Sequence, residues 1–209
     1  MSRLLFRTTG KFCSSVRWEK NPLRVRNWRE VSTIEPIATP RLTVRPFAPS
    51  DLDDYLAYQR LPEVRRYLRG APMSPGAARH FLEFQAEARG DERGRYHAYA
   101  VEHRGDQKVI GDVGIFLSED PSDEGDIGFQ FHPAYQGRGY ATEAVEALLQ
   151  HLFNDLDLIR VTGGCDARNL ASAGLMERVG MSRVPEGPSA GNATFELWRE
   201  HWVALPRKG

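Results

Sequence analysis

A glycine-rich stretch in the middle of the chain has residue types that could hold a phosphate. It reads Gln136-Gly-Arg-Gly-Tyr-Ala-Thr-Glu143 and lies between a predicted strand and the longest predicted helix. Gly137 and Gly139 permit tight backbone conformations and place no side chain in the way of a ligand. The unpaired amides at the start of the helix would face an anion, which the helix dipole favours. The pattern predicts a pyrophosphate cradle, with a glycine-rich connection that binds nothing as the alternative.

The spacing in this stretch excludes two familiar phosphate sites. No Gly-Lys-Ser/Thr follows the glycines, so the stretch is not a P-loop. The G-x-G-x-x-G spacing of a dinucleotide site is also missing. The ligand predicted for the cradle is therefore neither a P-loop nucleotide nor a dinucleotide.

Carboxylates on the strand before the cradle could take up a proton. Asp126 directly precedes Ile127-Gly-Phe129, and Glu124, two residues earlier, is expected on the same face of the strand. A carboxylate next to a reacting group can act as a general base, although Asp126 can also be read as a solvated charge at a strand end. Farther along, Asn169 and Ser172 offer an amide and a hydroxyl at the start of a predicted helix, where a plain helix cap is the alternative.

Other polar residues give weaker signals. His97 and His103 show no ligand spacing, and no C-x-x-C pair exists, so we expect no metal. Asp112 lies on the less apolar face of its strand and is expected near a substrate groove. The two cysteines, Cys13 and Cys165, cannot form a disulfide framework, which favours a reducing compartment and a cytoplasmic location.

Alternating strands and helices must position these groups. Period-2 patterns predict strands over 41–47, 96–103, 108–117, 126–132, 158–166, 181–185 and 193–202. Ser50 is read as the cap of a first helix that ends near Gln59, and helical patterns follow over 62–68, 74–89, 139–154 and 169–179. This order indicates one mixed α/β domain.

The glycine-rich stretch resembles the Q/R-x-x-G-x-G/A signature of the GCN5-related N-acetyltransferase (GNAT) superfamily. The wider run from Ile127 to Ala144 resembles its ribosomal-protein alanine acetyltransferase (RimJ/RimL-like) branch. The similarity covers about Ile37 to Leu205. Three further matches occur in the same order as in the family: Thr39-Pro-Arg-Leu-Thr-Val-Arg-Pro-Phe47 with Asp51-Leu-Asp-Asp54, Asn169-Leu-Ala-Ser172, and Met176-Glu-Arg-Val-Gly-Met181.

The resemblance implies a fold and a binding mode. The fold would be α/β (mixed α+β), with a central, mostly antiparallel twisted sheet, a splayed parallel strand pair that Gly163-Gly164 helps keep open, and flanking helices. Acetyl-coenzyme A (acetyl-CoA) would bind with its pyrophosphate on the cradle amides and its pantetheine arm along the preceding strand. The implied cofactor-binding residues are Phe129, Phe131, Gln136, Gly137, Arg138, Gly139, Tyr140, Ala141, Thr142 and Asn169.

The resemblance also implies catalytic roles in attack of an amine on a thioester. Asp126 stands where related sequences usually have Glu, and its shorter side chain favours a water relay. Glu124 is the backup base, and Ser172 would donate a hydrogen bond to the leaving thiolate. A base matters most for lysine, whose amine is only about 0.04% neutral at pH 7, against about 14% for an α-amine.

The sequence therefore predicts an N-acetyltransferase that moves an acetyl group from acetyl-CoA to a primary amine in a ternary complex. The acceptor is expected to be a protein N-terminal α-amine, of the ribosomal-protein type, or a small cationic amine. Two alternatives are open: an aminoglycoside or polyamine acetyltransferase, and a non-catalytic acyl-CoA-binding or ribosome-associated protein. Both a monomer and a homodimer fit the sequence.

Charge divides the chain into two parts. The 28 basic and 28 acidic residues give a net charge of zero over the whole chain. Residues 1–38 carry eight basic and three acidic side chains, however, so residues 39–209 carry 20 basic and 25 acidic ones. We read 1–38 as a poorly ordered basic extension, with organellar targeting by residues 1–18 as an alternative, and 39–209 as the catalytic domain. The acidic domain disfavours nucleic acid, which leaves only a weak contact open to the basic arm. No apolar run is long enough to span a membrane.

Overall fold

A computed structural model of the protein describes residues 35–68, 70–119, 123–185 and 191–205. Their centre is one sheet of eight strands. The strands are β1 (Ile37–Ala38), β2 (Leu42–Pro46), β3 (Tyr96–His103), β4 (Lys108–Leu117), β5 (Glu124–Phe131), β6 (Arg160–Asp166), β7 (Ser182–Arg183) and β8 (Asn192–Trp198).

The sheet is antiparallel except at one place. Its spatial order is β1-β2-β3-β4-β5-β6-β8-β7, and only β5 and β6 run parallel. Pairing between β5 and β6 starts at Glu124–Arg160 and stops at Ile127–Gly163, whereas β5 stays paired with β4 as far as Phe131. The two parallel strands thus separate into a wedge that is narrow at Ile127. The predicted fold class and the splayed parallel pair are confirmed.

Helices cover both faces of the sheet. They are α1 (Leu52–Gln59), α2 (Pro62–Arg65), α3 (Pro75–Ala86), α4 (Tyr140–Asn154), α5 (Leu170–Arg178) and α6 (Arg199–Ala204). Helices α4 and α5 bury their apolar residues with one face, in a core that includes Leu148, Leu149 and Met176. Helices α1 and α3 cover the other face, where Tyr55, Tyr58 and Leu82 form a smaller core.

The predicted strand over 193–202 is wrong at its end. Strand β8 stops at Trp198, and the chain continues as α6. The side chain of Arg199 explains the break, because its guanidinium donates to the Leu158 carbonyl at 2.8 Å and pairs with Asp157 at 2.6 Å. In addition, the Trp202 ring stacks on Phe153 of α4, with ring centroids 5.8 Å apart. These contacts turn the chain away from the sheet, which period-2 alternation alone does not reveal.

The start of α1 also differs from the prediction. Ser50 does not cap the helix; a 3-10 turn over Pro49–Asp51 precedes α1 instead. The buried carboxylate of Asp51 closes that turn by accepting from the Ala48 amide at 2.7 Å and from the Arg45 guanidinium at 2.8 Å. An ion pair to the neighbouring strand therefore fixes this helix start.

The sheet begins slightly before the predicted domain start, because Ile37–Ala38 pairs with β2. Residues 1–34, to which the predicted basic extension and targeting alternative largely belong, lie outside the described residues. No helix within the described ranges combines the length and the apolar character that crossing a membrane requires.

Candidate active site

The predicted cradle forms the turn that leads into α4. Gly137 and Gly139 both have positive φ angles, 73° and 80°, and Gly139 is the residue before the helix. Only glycine adopts this conformation without strain, so the two glycines set the path of the turn. The amides of Tyr140, Ala141 and Thr142 fall in the first helical turn, where backbone N–H groups have no partner within the helix. A row of donors thus points out of the helix start, on an exposed turn.

An ion pair from the far edge of the sheet holds the cradle in place. The Arg41 guanidinium binds the Glu143 carboxylate at 2.7 Å and donates to the Arg138 carbonyl at 2.9 Å. The Thr39 hydroxyl donates to the same carboxylate at 2.5 Å. Although partial burial opposes it, these hydrogen bonds lower the pKa of Glu143 and keep it ionised. Sequence reasoning assigned no role to Arg41 or Glu143, although both stand in the motifs that carry the resemblance.

Two predicted ligands also support the cradle through their side chains. The Gln136 amide donates to the Phe131 carbonyl at 3.0 Å, which ties the turn to the end of β5. The Tyr140 hydroxyl lies 3.0 Å from His103 Nε2, and its ring lies beneath the Arg41 guanidinium at 4.4 Å. Direct contact of Gln136 or Tyr140 with a ligand stays a prediction. So does a contribution of the positive charge of Arg138 to pyrophosphate binding; the Arg138 side chain is exposed.

The wedge leaves one edge of β5 available for a ligand. Phe129 and Phe131 direct their side chains to the α4 core, and neither residue pairs with β6, although the Phe131 carbonyl accepts from the Gln136 side chain. Gly163 faces Ile127 where the wedge begins, and a Cβ added there would lie 3.0 Å from Met176 Sδ. The free backbone edge ends at the cradle, so an extended chain carrying a phosphate group fits along both. These features suit the pantetheine and pyrophosphate of acetyl-CoA.

The predicted base lies at the narrow end of the wedge. Asp126 is open to solvent, and its Oδ2 accepts from the Thr162 hydroxyl at 2.9 Å across the β5–β6 pair. Nearby protein desolvates this carboxylate in part, which raises the pKa of Asp126, against the effect of the Thr162 hydrogen bond. A carboxylate with a raised pKa is a better proton acceptor. Glu124 lies on the same face, 3.8 Å from the Arg160 guanidinium.

Asn169 and Ser172 lie at the start of α5, the helix that follows β6. Asn169 caps the helix, because its Oδ1 accepts from the Ser172 amide at 3.2 Å. The cap uses only the oxygen, which leaves the Nδ2 group of Asn169 as a donor. Helix α5 packs on the α4 side of the sheet, whereas Asp126 belongs to the side of α1 and α3. The two predicted catalytic groups are therefore on opposite faces, with the wedge between them.

A buried carboxylate accompanies Asp126 on the α1 side. Asp112 is only 5% exposed, and its Oδ1 accepts from the Tyr58 hydroxyl at 2.7 Å and from the Gln130 amide at 2.9 Å. Burial raises the pKa of Asp112 to about 7, although both hydrogen bonds act in the opposite direction. The sequence suggested Asp112 beside the groove but gave no sign of Tyr58, which is 54 residues away.

Metal ligation finds no support in the described part of the chain. No group of three or more His, Cys, Asp or Glu side chains there could hold a metal ion. His97 instead hydrogen-bonds the Glu92 carbonyl at 2.7 Å, and His103 contacts Tyr140. These histidines serve as structural contacts between elements.

Comparisons with known proteins agree with this geometry. The sequence model of the acetyltransferase (GNAT) domain matches residues 41–182. The uncharacterized N-acetyltransferase YnaD of Bacillus subtilis is 27% identical over 176 residues, which are 81% of this chain and 95% of that protein. A GNAT-family acetyltransferase structure from Bacillus anthracis superposes with a TM-score of 0.68 at 24% identity, covering 79% of this chain and 99% of that one.

A second solved structure has the same fold. The ribosomal-protein-S5-alanine acetyltransferase of Vibrio fischeri superposes with a TM-score of 0.65 at 17% identity. The match covers 81% of this chain and 99% of that chain. At this identity the likeness concerns the fold alone.

Proposed function

The chain belongs to the GNAT acetyltransferase family, and from this premise we propose that it transfers the acetyl group of acetyl-CoA to a primary amine. The observation that carries the proposal is the wedge between β5 and β6, whose free β5 edge leads directly into the glycine cradle. In this arrangement the cradle amides of 137–142 hold the pyrophosphate and the backbone of Phe129 to Phe131 pairs with the pantetheine arm. The Asn169 amide adds a donor to that arm.

The proposed chemistry needs one group to receive a proton and one to stabilise sulfur. Asp126 takes the proton of the acceptor ammonium, directly or through a water molecule, and its raised pKa suits that role. The neutral amine then forms the C–N bond as the C–S bond breaks. Ser172, on the other face, donates a hydrogen bond to the departing thiolate, which leaves as CoA after taking up the proton that the newly acylated nitrogen releases. Glu124 is the weaker base candidate, because Arg160 pairs with it.

We propose a protein N-terminal α-amine as the acceptor, of the kind modified by the RimJ/RimL-like branch. Two arguments support this choice. The sequence resembles that branch, and an α-amine is about 14% neutral at pH 7, so a single solvent-open Asp is an adequate base. The predicted cytoplasmic location is compatible with such a substrate and stays a prediction.

A thiol-release screen tests the proposed function. Purified protein with acetyl-CoA is offered N-terminal peptides, aminoglycosides and polyamines, and free CoA is measured. We expect CoA release with the peptides, and release with only a small amine would replace the acceptor but keep the reaction. Should no amine cause release, the enzymatic proposal fails.

A variant of the cradle provides the matching binding test. Gly139→Glu adds a carboxylate where the pyrophosphate is to bind, in a backbone conformation that disfavours any side chain. We expect acetyl-CoA binding by calorimetry to weaken by more than about 100-fold, since like charges repel at an anion site. Gly139→Ala is the control, because it introduces the backbone strain without the charge and is expected to retain weaker but measurable binding.

A further inference from the structure

We propose that the Tyr96 hydroxyl binds the acceptor amine and holds it against Asp126 at the narrow end of the wedge. The inference rests on the proposed function and adds a residue that contacts the amine. Tyr96 is the first residue of β3 and points to the same side of the sheet as Asp126. No motif of the sequence indicates this role.

Two glycines make room for the Tyr96 ring on the sheet. A Cβ added to Gly114 would lie 2.5 Å from the Tyr96 hydroxyl oxygen, and one added to Gly128 would lie 2.9 Å from it. Gly114 of β4 and Gly128 of β5 are register partners. The hydroxyl therefore lies directly over this glycine pair, and any side chain at either position would displace it.

This glycine pair is located where the wedge opens. Gly128 immediately follows Ile127, the last β5 residue that pairs with β6. From Gly128 onward, no strand within the described residues pairs with the β6 side of β5, so this is where we expect the thioester end of acetyl-CoA to lie. The Tyr96 hydroxyl is thus beside the reacting carbonyl, on the face that carries the proposed base.

The strand register leaves room for an amine nitrogen beside both Tyr96 and Asp126. The Tyr96 hydroxyl lies over Gly128, and Asp126 is two residues before Gly128 on the same face, so the Cα atoms of these two β5 residues are about 7 Å apart. A nitrogen above this stretch of β5 can make one hydrogen bond of about 2.9 Å to the hydroxyl and another to the carboxylate. The Thr162 hydroxyl orients the Asp126 carboxylate from the other side. A protonated primary amine placed between the phenol and the carboxylate can give one proton to Asp126 and still donate an N–H hydrogen bond to the Tyr96 hydroxyl oxygen.

The phenol is in the right protonation state for this role. Desolvation, followed by the fields of Asp112 and Asp126, raises the pKa of Tyr96 well above its ordinary value, so it stays neutral. In the part of the chain that the structure describes, its hydroxyl makes no hydrogen bond of its own. A neutral hydroxyl can both accept from an amine and donate to a developing oxyanion. It orients the amine and leaves the proton transfer to Asp126.

The test is Tyr96→Phe, which removes the hydroxyl but keeps the ring over the glycine pair. Tyr99→Phe is the matched control, because Tyr99 lies three residues along the same strand on the α4 side, and its buried hydroxyl has no hydrogen-bond partner among the described residues. We expect kcat/KM for the amine to fall about 10- to 100-fold in Tyr96→Phe and by less than about twofold in Tyr99→Phe. The Kd of acetyl-CoA, measured separately by calorimetry, should change by less than about twofold in both.

The outcomes separate this inference from the proposed function. A lower kcat and a higher KM for the amine in Tyr96→Phe, with acetyl-CoA binding unchanged, support contact of the hydroxyl with the amine. Equal amine kinetics in Tyr96→Phe and wild type overturn the inference and leave the acetyltransferase intact. A loss of acetyl-CoA binding in Tyr96→Phe also overturns it, since the hydroxyl would then act through the cofactor site. If wild-type protein acetylates no amine, the proposed function and this inference fail together.

Discussion

The two faces of the β4–β5 strand pair differ in chemistry although they share one backbone. Toward α4 the pair presents Val113, Ile115 and Ile127, all buried in the main core. Toward α1 it presents acidic and amide side chains separated by glycines; they are Asp112, Gly114, Asp126, Gly128 and Gln130. Because side chains alternate along a strand, neighbouring residues perform unlike tasks. One face stabilises the fold, and the other holds the groups that we propose take part in the reaction.

The polar face carries an energetic cost that the apolar face offsets. Desolvation raises the pKa of the buried Asp112 and that of the solvent-open Asp126, which means that ionising either group is less favourable in the folded protein than in water. The glycines of this face contribute no apolar contact. Nearly all apolar burial of the strand pair is on the α4 side. Substitutions on the two faces should therefore affect different measurements.

The largest expected effect is the loss of activity in Asp126→Asn. The amide cannot accept a proton, so kcat is expected to fall about 10²- to 10⁴-fold, while Thr162 can still donate to the amide oxygen. Wild-type activity should decrease as the pH drops through the raised pKa of Asp126, and the variant should lose this dependence. Stopped-flow CoA release across pH measures both effects.

Calorimetry provides the control for this loss of activity. Acetyl-CoA should bind Asp126→Asn, and the combined variant with Ser172→Ala, as it binds wild type. An unchanged rate in the combined variant would contradict both catalytic assignments. Lost acetyl-CoA binding would instead assign these residues to the cofactor site.

The next effect concerns stability on the apolar face. Ile115→Ala removes a side chain with no exposed surface and is expected to lower the free energy of unfolding by about 2–5 kcal/mol. Urea unfolding followed by fluorescence measures the change. Val203→Ala, at a side chain 65% exposed on α6, is the control and should change stability by less than about 0.5 kcal/mol. If the folded Ile115→Ala protein loses its kcat, the division of tasks between the faces is wrong.

The most gradual effect is the pH dependence of stability that Asp112 contributes. Between its ordinary pKa of 3.8 and its folded pKa of about 7, the folded protein holds a proton that the unfolded chain has released. Stability should therefore decrease as the pH rises through this window, by up to about 1.4 kcal/mol per pH unit from this group. Asp112→Asn keeps an oxygen for Tyr58 and Gln130 and removes the charge.

Urea unfolding between pH 4 and pH 8 measures this contribution. The Asp112→Asn protein should lose stability less steeply with rising pH than wild type, whereas Asp53→Asn, at an exposed position, should follow wild type. Parallel curves for Asp112→Asn and wild type would show that the buried carboxyl does not hold its proton in the folded state.

Much of the architecture could be predicted because it depends on local patterns. The alternation from Asp126 to Phe131 placed these side chains on the correct faces, and the spacing of Gly137 and Gly139 located the cradle at a helix start. The same reasoning from alternation failed after Trp198. The sequence continues to alternate as a strand would, but the contacts of Arg199 turn the chain into a helix. Local pattern carries no information about a partner that is forty residues away in sequence.

The hydrogen bonds that position the site join residues that are distant in sequence, which local patterns do not reveal. Arg41 reaches Glu143 across 102 residues of sequence, and Tyr58 reaches Asp112 across 54. Neither pair has a spacing that distinguishes it from other Arg–Glu or Tyr–Asp combinations in the chain. Only the order of strands in the sheet brings them together.

The sequence by itself determined which backbone could form a phosphate cradle, which strand residues share a face, and which family the chain resembles. These follow from conformational preference and side-chain alternation, which act over a few residues. The tertiary structure alone decided where β5 and β6 separate, which carboxylate is buried, and that the Tyr96 hydroxyl lies over the Gly114–Gly128 pair. These depend on packing between distant segments, and packing sets both the local dielectric and the distances at which side chains meet.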